Sequence, residues 1–572
     1  MGKYNLLEEK WIPVIESKSL KNIKVSLIDI FENAQSYKDL ACEMKAQDFV
    51  LLRFLLAVLM TVFTRFDESG EIYEQISLDE NFIPKEEVDR DDIKDYKKKL
   101  INTWSILWEN KKFPPIVKTY LEKWKDHFYL FDDKYPFFQV NESDIKNNIR
   151  KKSAFTLVSG KNINRLISES DNKISLFSPK YQKNSNKEIL KADELVRWLL
   201  TFQAYTGLAD KAIFGDDKYE VSNSKGWPYD LGGIYFKASN LFETLMLNLT
   251  ILHPQEVYNG KIQRPCWEYA SDDLIKSYLS YRDVDNLSEL FTNWSRAIYI
   301  DPKIDITKSF SMKIIKLPEI RHINNFLEPM TLWRFNNNGP NKDKYTPKKH
   351  MADESLWRNF AMLISPQNSS EKIHIPGLME WKNSWEEYKN EKKSRLIDII
   401  GDINLRIEAI SMKDDGNATS WVPIDELTDY LNINNFVLTD VNQNDWENHI
   451  IDMVNITKIS VGKTYGIFIE NIIKIRNIKS KTYKTQKLEE LYSTIDGPFK
   501  DWICSIKSQD LVEKKILQWK TTLKNLVLRQ ADKDFEEAST RDFKGIVEGD
   551  KIINIATSYN SFKHFLKESL KI

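Results

Sequence analysis

The sequence predicts an α+β fold: a large mixed amino-terminal domain over residues 1–435, followed by a four-helix-type bundle over residues 436–572. Three observations predict it. Residues 189–252 hold two marked helices joined by an aromatic, glycine-bearing connection. Residues 405–411 alternate as a strand does, with Leu405, Ile407, Ala409 and Ser411 on one side. From Asn435 onward proline is nearly absent and apolar residues recur at helical spacing.

Composition narrows the class. With 41% hydrophobic and 12% aromatic residues, the 572-residue chain can bury a sizeable core in more than one domain, which excludes a disordered protein. Its 83 basic and 84 acidic residues nearly cancel, so any nucleic-acid surface must come from local clusters. Three scattered cysteines, Cys42, Cys266 and Cys504, argue against a disulfide framework and fit a reducing cytoplasm. The opening MGKYNLLEEKWIPV has charges where a secretory signal needs an apolar run, and Leu6 stands where myristoylation requires Ser or Thr.

Taken in order, VSLIDIFENA reads as an extended piece entering a helix. Phe49 to Phe63 is apolar almost all round. It falls short of the ~20 residues a membrane span needs and carries Arg53, so it reads as a buried core helix. Residues 67–102 are charged and helical in character, a solvated face. YPFFQV at 135–140 is an aromatic-proline turn, and SESDNKISLFSP is a polar loop ended by Pro179. The helix ADELVRWLLTFQAYTGL places Leu195, Trp198, Leu199 and Phe202 on one face, with Gly207 as a left-handed C-cap. Residues 209–233 read as a long surface connection. The next helix begins at Asn240, an N-cap with Glu243 three residues on, and runs to Leu252. NNNGPNKDKYTPKKH at 336–350 is a basic, turn-rich loop. In the bundle, Leu488, Leu491 and Ile495 form one stripe, Phe499, Trp502, Ile503 and Ile506 a second, and Ile516, Trp519, Leu523, Leu526 and Val527 a third.

Catalytic patterns are weak. Gly-Lys-Thr at 462–464 resembles the end of a phosphate loop, but Thr457 stands where its first glycine belongs and no β-run precedes it. Seven scattered histidines include no His-x-x-x-His pair, and no Gly-x-Ser-x-Gly elbow occurs. Asp414-Asp415 could bind Mg²⁺ in a nuclease, yet adjacent side chains diverge and Asp-Asp-Gly-Asn is a common turn. The expectation is a binding protein that is not an enzyme, with no cofactor and no metal.

Local clusters offer binding chemistry. Lys146, Arg150, Lys151, Lys152, Lys161 and Arg165 form a basic run without an acid, either solvent-facing or tracking phosphates. Residues 471–487 carry Lys474, Arg476, Lys479, Lys481, Lys484 and Lys487, again without an acid, at the end of a bundle helix. That suits a DNA backbone, or a solvated helix end. The strand at 405–411 turns through Lys413 to Ala418, where Gly416 and Ala418 are small and Asn417 offers both a donor and an acceptor.

WLLTFQAYTGL followed by ASNLFETLMLNL resembles the central block of the CasA family, the large subunit of the subtype I-E Cascade complex, which surveys double-stranded DNA under a guide RNA. NLLEEKWIPV, FVLLRFLLAVLM, YPFFQV, QRPCWE, LFTNWSRAIYI, EPMTLWR and LWRNFAMLI resemble family blocks in the right order. The resemblance covers most of residues 4–435 and implies recognition of a protospacer-adjacent motif, opening of the duplex to start the R-loop, and recruitment of the helicase-nuclease. It implies other Cascade subunits, crRNA and target DNA as partners, and no membrane. By the resemblance Gly416, Asn417 and Ala418 form the wedge inserted between base pairs, and Lys303 or Lys308 reaches the minor groove. Asp171, Asn172 and Lys173 fall in the loop that seats the subunit on the crRNA 5′ end. Two departures stand out: residues 186–194 lack the glycine of the family's motif-reading loop, and no cysteine cluster follows the lysine segment. The rival readings are a Mg²⁺-dependent nucleic-acid enzyme and a structural subunit that never touches DNA.

Overall fold

The computed structural model describes residues 4–147, 155–159, 190–207, 212–215, 219, 225–364, 372–384, 403–414, 423–438 and 445–571. The architecture is α+β, as the sequence predicts, and the chain divides into two compact units. The first gathers 1–350, 374–400 and 408–428; the second gathers 351–373, 401–407 and 429–572.

In the first unit, the helix Lys45–Phe63 is buried at every residue after Lys45. Among the described residues it is the one helix long and apolar enough to cross a membrane, and its complete burial identifies it as a core helix. Its charged residue has a dedicated partner: the Arg53 guanidinium donates two parallel hydrogen bonds of 2.8 Å to Glu328, which also accepts from the Trp227 indole at 2.6 Å. Burial alone would raise the Glu328 carboxyl, but Arg53 and these donors outweigh it and hold it below the usual range. Just past the helix, Arg65 forms a second bidentate pair with Glu268, at 2.8 and 2.9 Å. No side chain of its own caps the helix start. Instead Glu426 accepts from the N–H groups of Lys45 (3.2 Å) and Ala46 (2.8 Å), meeting orphan donors and the positive end of the helix dipole.

Around this helix lie three small sheets. Ile12–Glu16 pairs antiparallel with Asn22–Val25 and Tyr37–Leu40. Ser311–Lys316 pairs with Thr156–Ser159 and Arg296–Tyr299, so TLVS, within the basic run, is a strand. Gly233–Lys237 lies beside Asn404–Asp414, which lies beside Pro423–Asn434. Gly233 permits that approach: a Cβ there would stand 2.9 Å from both the Ile410 side chain and its carbonyl oxygen.

Several expectations are corrected. The helix Ala192–Tyr205 ends one residue early, with Thr206 in an extended conformation (ψ 132°) as its C-cap. The helix begun by Asn240, whose side chain accepts from Glu243 N as expected, stops at Asn248; that amide bonds both backbone groups of Phe236 and ties the helix to the neighbouring strand. Residues 67–92 are turns, because Asp67, Asp79 and Asp89 capture the N–H groups two or four residues on; helix occupies only Ile93–Asn110. Within 209–233, Trp227, Pro228 and Tyr229 form a buried 3-10 turn and not a surface connection.

The second unit holds Trp446–Lys458, Gly466–Arg476, Tyr483–Cys504, Val512–Glu536 and Ile555–Leu570, with a hairpin of Ile546–Glu548 and Lys551–Ile553. Its core is built from the expected stripes at Leu491, Ile495, Phe499, Trp502, Ile503, Ile506, Trp519, Leu523 and Val527, whereas Leu488, Ile516 and Leu526 are only half-buried, and Trp357 stacks on Phe499 at 4.1 Å. The Gly-Lys-Thr segment lies in a seven-residue π-helix, Ile459–Tyr465, inside continuous helix. A phosphate cradle is therefore excluded there.

Candidate nucleic-acid interface

Strand Asn404–Asp414 has Leu405, Ile407, Ala409 and Ser411 buried as expected, but Glu408, Ile410 and Met412 between them are buried too, so the strand is covered on both faces over 407–412 before Lys413 emerges into solvent. Its end is fixed by short polar contacts. Ser411 donates to Leu231 O at 2.8 Å and accepts from His350 N at 3.0 Å, and the His350 ring bonds Gly233 O at 2.9 Å. Beside it Lys349 extends over the Tyr229 ring (4.3 Å) to Asp414 Oδ2 (3.3 Å) and Asp230 Oδ1 (3.5 Å). Burial lowers the Lys349 ammonium pKa, and the two carboxylates oppose that shift. Gly416, Asn417 and Ala418 lie outside the described residues, as do Asp171, Asn172 and Lys173.

Asp230, Glu319 and His322 bring potential ligand atoms within 4.8 Å of one another, a cluster that linear spacing could not reveal. Two ammonium groups already face it: Lys225 pairs with Asp230, and Lys349 lies beside it. Burial pushes the Glu319 carboxyl up to about 7 and the His322 imidazole down; His322 stacks on Trp227 at 4.0 Å and bonds its carbonyl at 2.9 Å. The Asp230 carboxylate is therefore already matched by two lysines.

The basic loop at 336–350 resolves into a hairpin of Trp333–Phe335 and Tyr345–Pro347. Phe335 meets Tyr345 edge-on at 5.0 Å, Phe326 packs on Trp333 at 5.0 Å, and Arg334, Lys342 and Lys344 are exposed. Sequence reasoning missed this structure, although Trp-Arg-Phe and Tyr-Thr-Pro flanking an Asn/Gly/Pro cluster carry a hairpin signal.

Lys303 and Lys308 occupy an exposed loop between Arg296–Tyr299 and Ser311–Lys316. Lys308 pairs with Asp305 at 3.3 Å, whereas the Lys303 side chain has no acidic partner among the described residues. In the bundle the expected acid-free cluster is largely compensated. Lys474 pairs with Glu548, Arg476 with Asp542, Lys484 with Glu470 and Lys487 with Asp534. Only Lys479 and Lys481 project from the connection 478–482 without such a partner among the described residues.

Residues 5–530 match the protein family described as CRISPR-associated protein Cse1. CasA/Cse1 of Thermus thermophilus is 26% identical over 273 residues, which is 47% of this chain and 42% of that relative, so the alignment spans less than half of the relative's length. Among solved structures, Thermobifida fusca Cse1 superimposes with a TM-score of 0.75 at 20% identity, covering 100% of this chain and 98% of that one. Thermus thermophilus CasA gives 0.64 at 17% identity, covering 99% and 100%. A chain of a CRISPR RNA-guided surveillance complex gives 0.67 at 13% identity, covering 99% of each. At these identities the structural likeness is one of fold.

Proposed function

The chain belongs to the CRISPR-associated Cse1 family, and from that premise we propose that it is the large subunit of an RNA-guided DNA surveillance complex acting in the cytoplasm. The family match over residues 5–530 carries this reading. It is supported by a fold shared end to end with a subunit of a surveillance complex. Its partners are the other Cascade subunits, crRNA, double-stranded target DNA and the helicase-nuclease, and it binds without catalysing.

In this mechanism the protein reads a short duplex motif, wedges the DNA open and passes it to the guide RNA, which reads the remaining sequence by pairing. Gly416, Asn417 and Ala418 are the wedge. Opening one base step costs a few kcal/mol, offset when the inserted turn fills the gap and its amide bonds an exposed base edge. Lys303, without an acidic partner among the described residues, or Lys308, whose exposed pair with Asp305 is weak, reaches the minor groove. Asp171, Asn172 and Lys173 seat the subunit on the crRNA 5′ end. Lys479 and Lys481, with Arg334, Lys342 and Lys344, supply phosphate contacts that carry no sequence information.

The test uses the complex reconstituted with guide RNA. Bulky replacements at 416–418 should leave assembly intact, slow R-loop formation on intact duplex and be rescued by mismatches beside the motif. Equal slowness on pre-opened DNA, or normal rates on intact duplex, removes the wedge from this turn. Cleavage of DNA by the subunit with Mg²⁺ would favour the enzymatic reading, and an unchanged gel shift when the subunit is omitted would favour a purely structural one.

A further inference from the structure

Strand Asn404–Asp414 leads into residues 415–422 and strand Pro423–Asn434 leads out of them. Close to residues 415–422 each arm has a charged side chain in contact with a different part of the first unit. On the strand leading in, the contact is Asp414 with Lys349, at 3.3 Å. Lys349 is not a loose surface lysine. Its side chain is 25% exposed, lies over Tyr229 and spans two carboxylates, Asp414 and Asp230.

The backbone that presents Lys349 is pinned on both sides. Lys348 N donates to Leu332 O at 2.8 Å, Leu332 N to Gly232 O at 3.0 Å, and His350 N to Ser411 Oγ at 3.0 Å. Gly232 lies so close that a Cβ would stand 1.8 Å from the Lys348 carbonyl oxygen. The ammonium is thus delivered to the strand end from a fixed point. On the strand leading out, the contact is Glu426, whose carboxylate caps the first turn of the helix Lys45–Phe63, buried from Ala46 onward.

We infer that Lys349 and Glu426 are positioning residues that fix the two strand ends, at Asp414 and at Pro423, between which the proposed wedge lies in sequence, so that those ends do not give way as the duplex is opened; this rests on the function proposed above. A wedge stores no work if its base yields when the duplex pushes back. Side chains anchored to immobile backbone keep that base in place. The geometry assigns Lys349 to Asp414 and not to a DNA phosphate, because its charge is already shared between two carboxylates.

The experiment measures R-loop formation by the assembled, RNA-loaded complex on intact and on pre-opened duplex. Lys349→Met and Asp414→Asn should each slow opening of intact DNA about tenfold, and the double variant no further than Lys349→Met alone, because the Lys349–Asp414 contact is already lost there. Glu426→Ala should act in the same direction. All should run normally on pre-opened DNA and keep the wild-type dependence of affinity on salt.

The sign of Asp414→Asn is decisive. Were Lys349 a phosphate contact, freeing it from Asp414 would tighten binding while Lys349→Met flattened the salt dependence, and the inference would be overturned. Normal rates for both variants, with replacements at 416–418 still slow, would overturn this inference alone. Normal rates for the 416–418 variants as well would remove the wedge reading beneath it. Should Lys349→Met fail to assemble, Asp414→Asn, which leaves the lysine its second carboxylate, makes the same test.

Discussion

In the helix Lys45–Phe63 every residue after the first is buried, whereas in Val512–Glu536 burial recurs at Trp519, Leu523, Val527, Ala531 and Asp534 and the other faces meet solvent. The bundle helix is oriented by its apolar stripe. The buried helix has no stripe, so apolar burial cannot choose its rotation. Arg53 with Glu328, Arg65 with Glu268, and Glu426 at its start make that choice instead. Where a helix is apolar all round, its few polar contacts fix its placement; where it is amphipathic, they are secondary.

The largest expected effect tests the first half of that contrast. Arg53→Met leaves Glu328 buried and unpaired and should destabilise the protein by about 3–5 kcal/mol, measured by denaturant unfolding. Replacing both partners with apolar residues should recover much of the loss. If the double variant is as unstable as the single, the pair is not what holds the helix.

The second half is probed by Leu523→Ala, which should cost about 2–5 kcal/mol, while Asn525→Ala on the exposed side of the same helix should stay within about 0.5 kcal/mol. An equally costly Asn525→Ala would erase the distinction. Glu319 sharpens the contrast through pH. Its folded carboxyl titrates near 7, above the usual range, so the folded state binds this proton more tightly than the unfolded chain does. Stability from this group is full below about pH 4.5 and falls as pH rises through 7, by at most about 3 kcal/mol. Glu319→Gln should therefore raise the thermal midpoint at about pH 8 and leave it nearly unchanged at about pH 4; a midpoint lowered at the higher pH contradicts this. The smallest effect concerns surface charge. Lys479→Gln with Lys481→Gln should reduce the salt slope of DNA binding by about 2, and Lys484→Gln, already paired with Glu470, should change it little.

The bundle was legible because its period of 3.6 is a local property: Leu491, Ile495 and Phe499 announce their face from adjacent turns. Burial of Phe49 to Phe63 was equally plain from composition. Its partner was not, since Glu328 lies 275 residues from Arg53 and nothing in either neighbourhood marks the other. The same blindness misread 471–487 as uncompensated, because Glu548, Asp542 and Asp534 come from later parts of the bundle and Glu470 stands just outside the segment. Residues 67–92 failed for a local reason: aspartates that look like a charged helix face instead close turns on their own backbone.

The buried helix also sets the order in which this chain can fold as it is made. A segment that ends at Phe63 leaves the ribosome long before Glu268 and Glu328 are synthesised, and at roughly 5–20 residues per second the interval is on the order of tens of seconds. Throughout that time its apolar surface has no permanent cover and Arg53 has no carboxylate. The nascent chain must depend on transient shielding by chaperones or on provisional collapse, and synonymous codon changes that slow translation before Glu328 should lower the yield of soluble protein more than equal delays within the bundle.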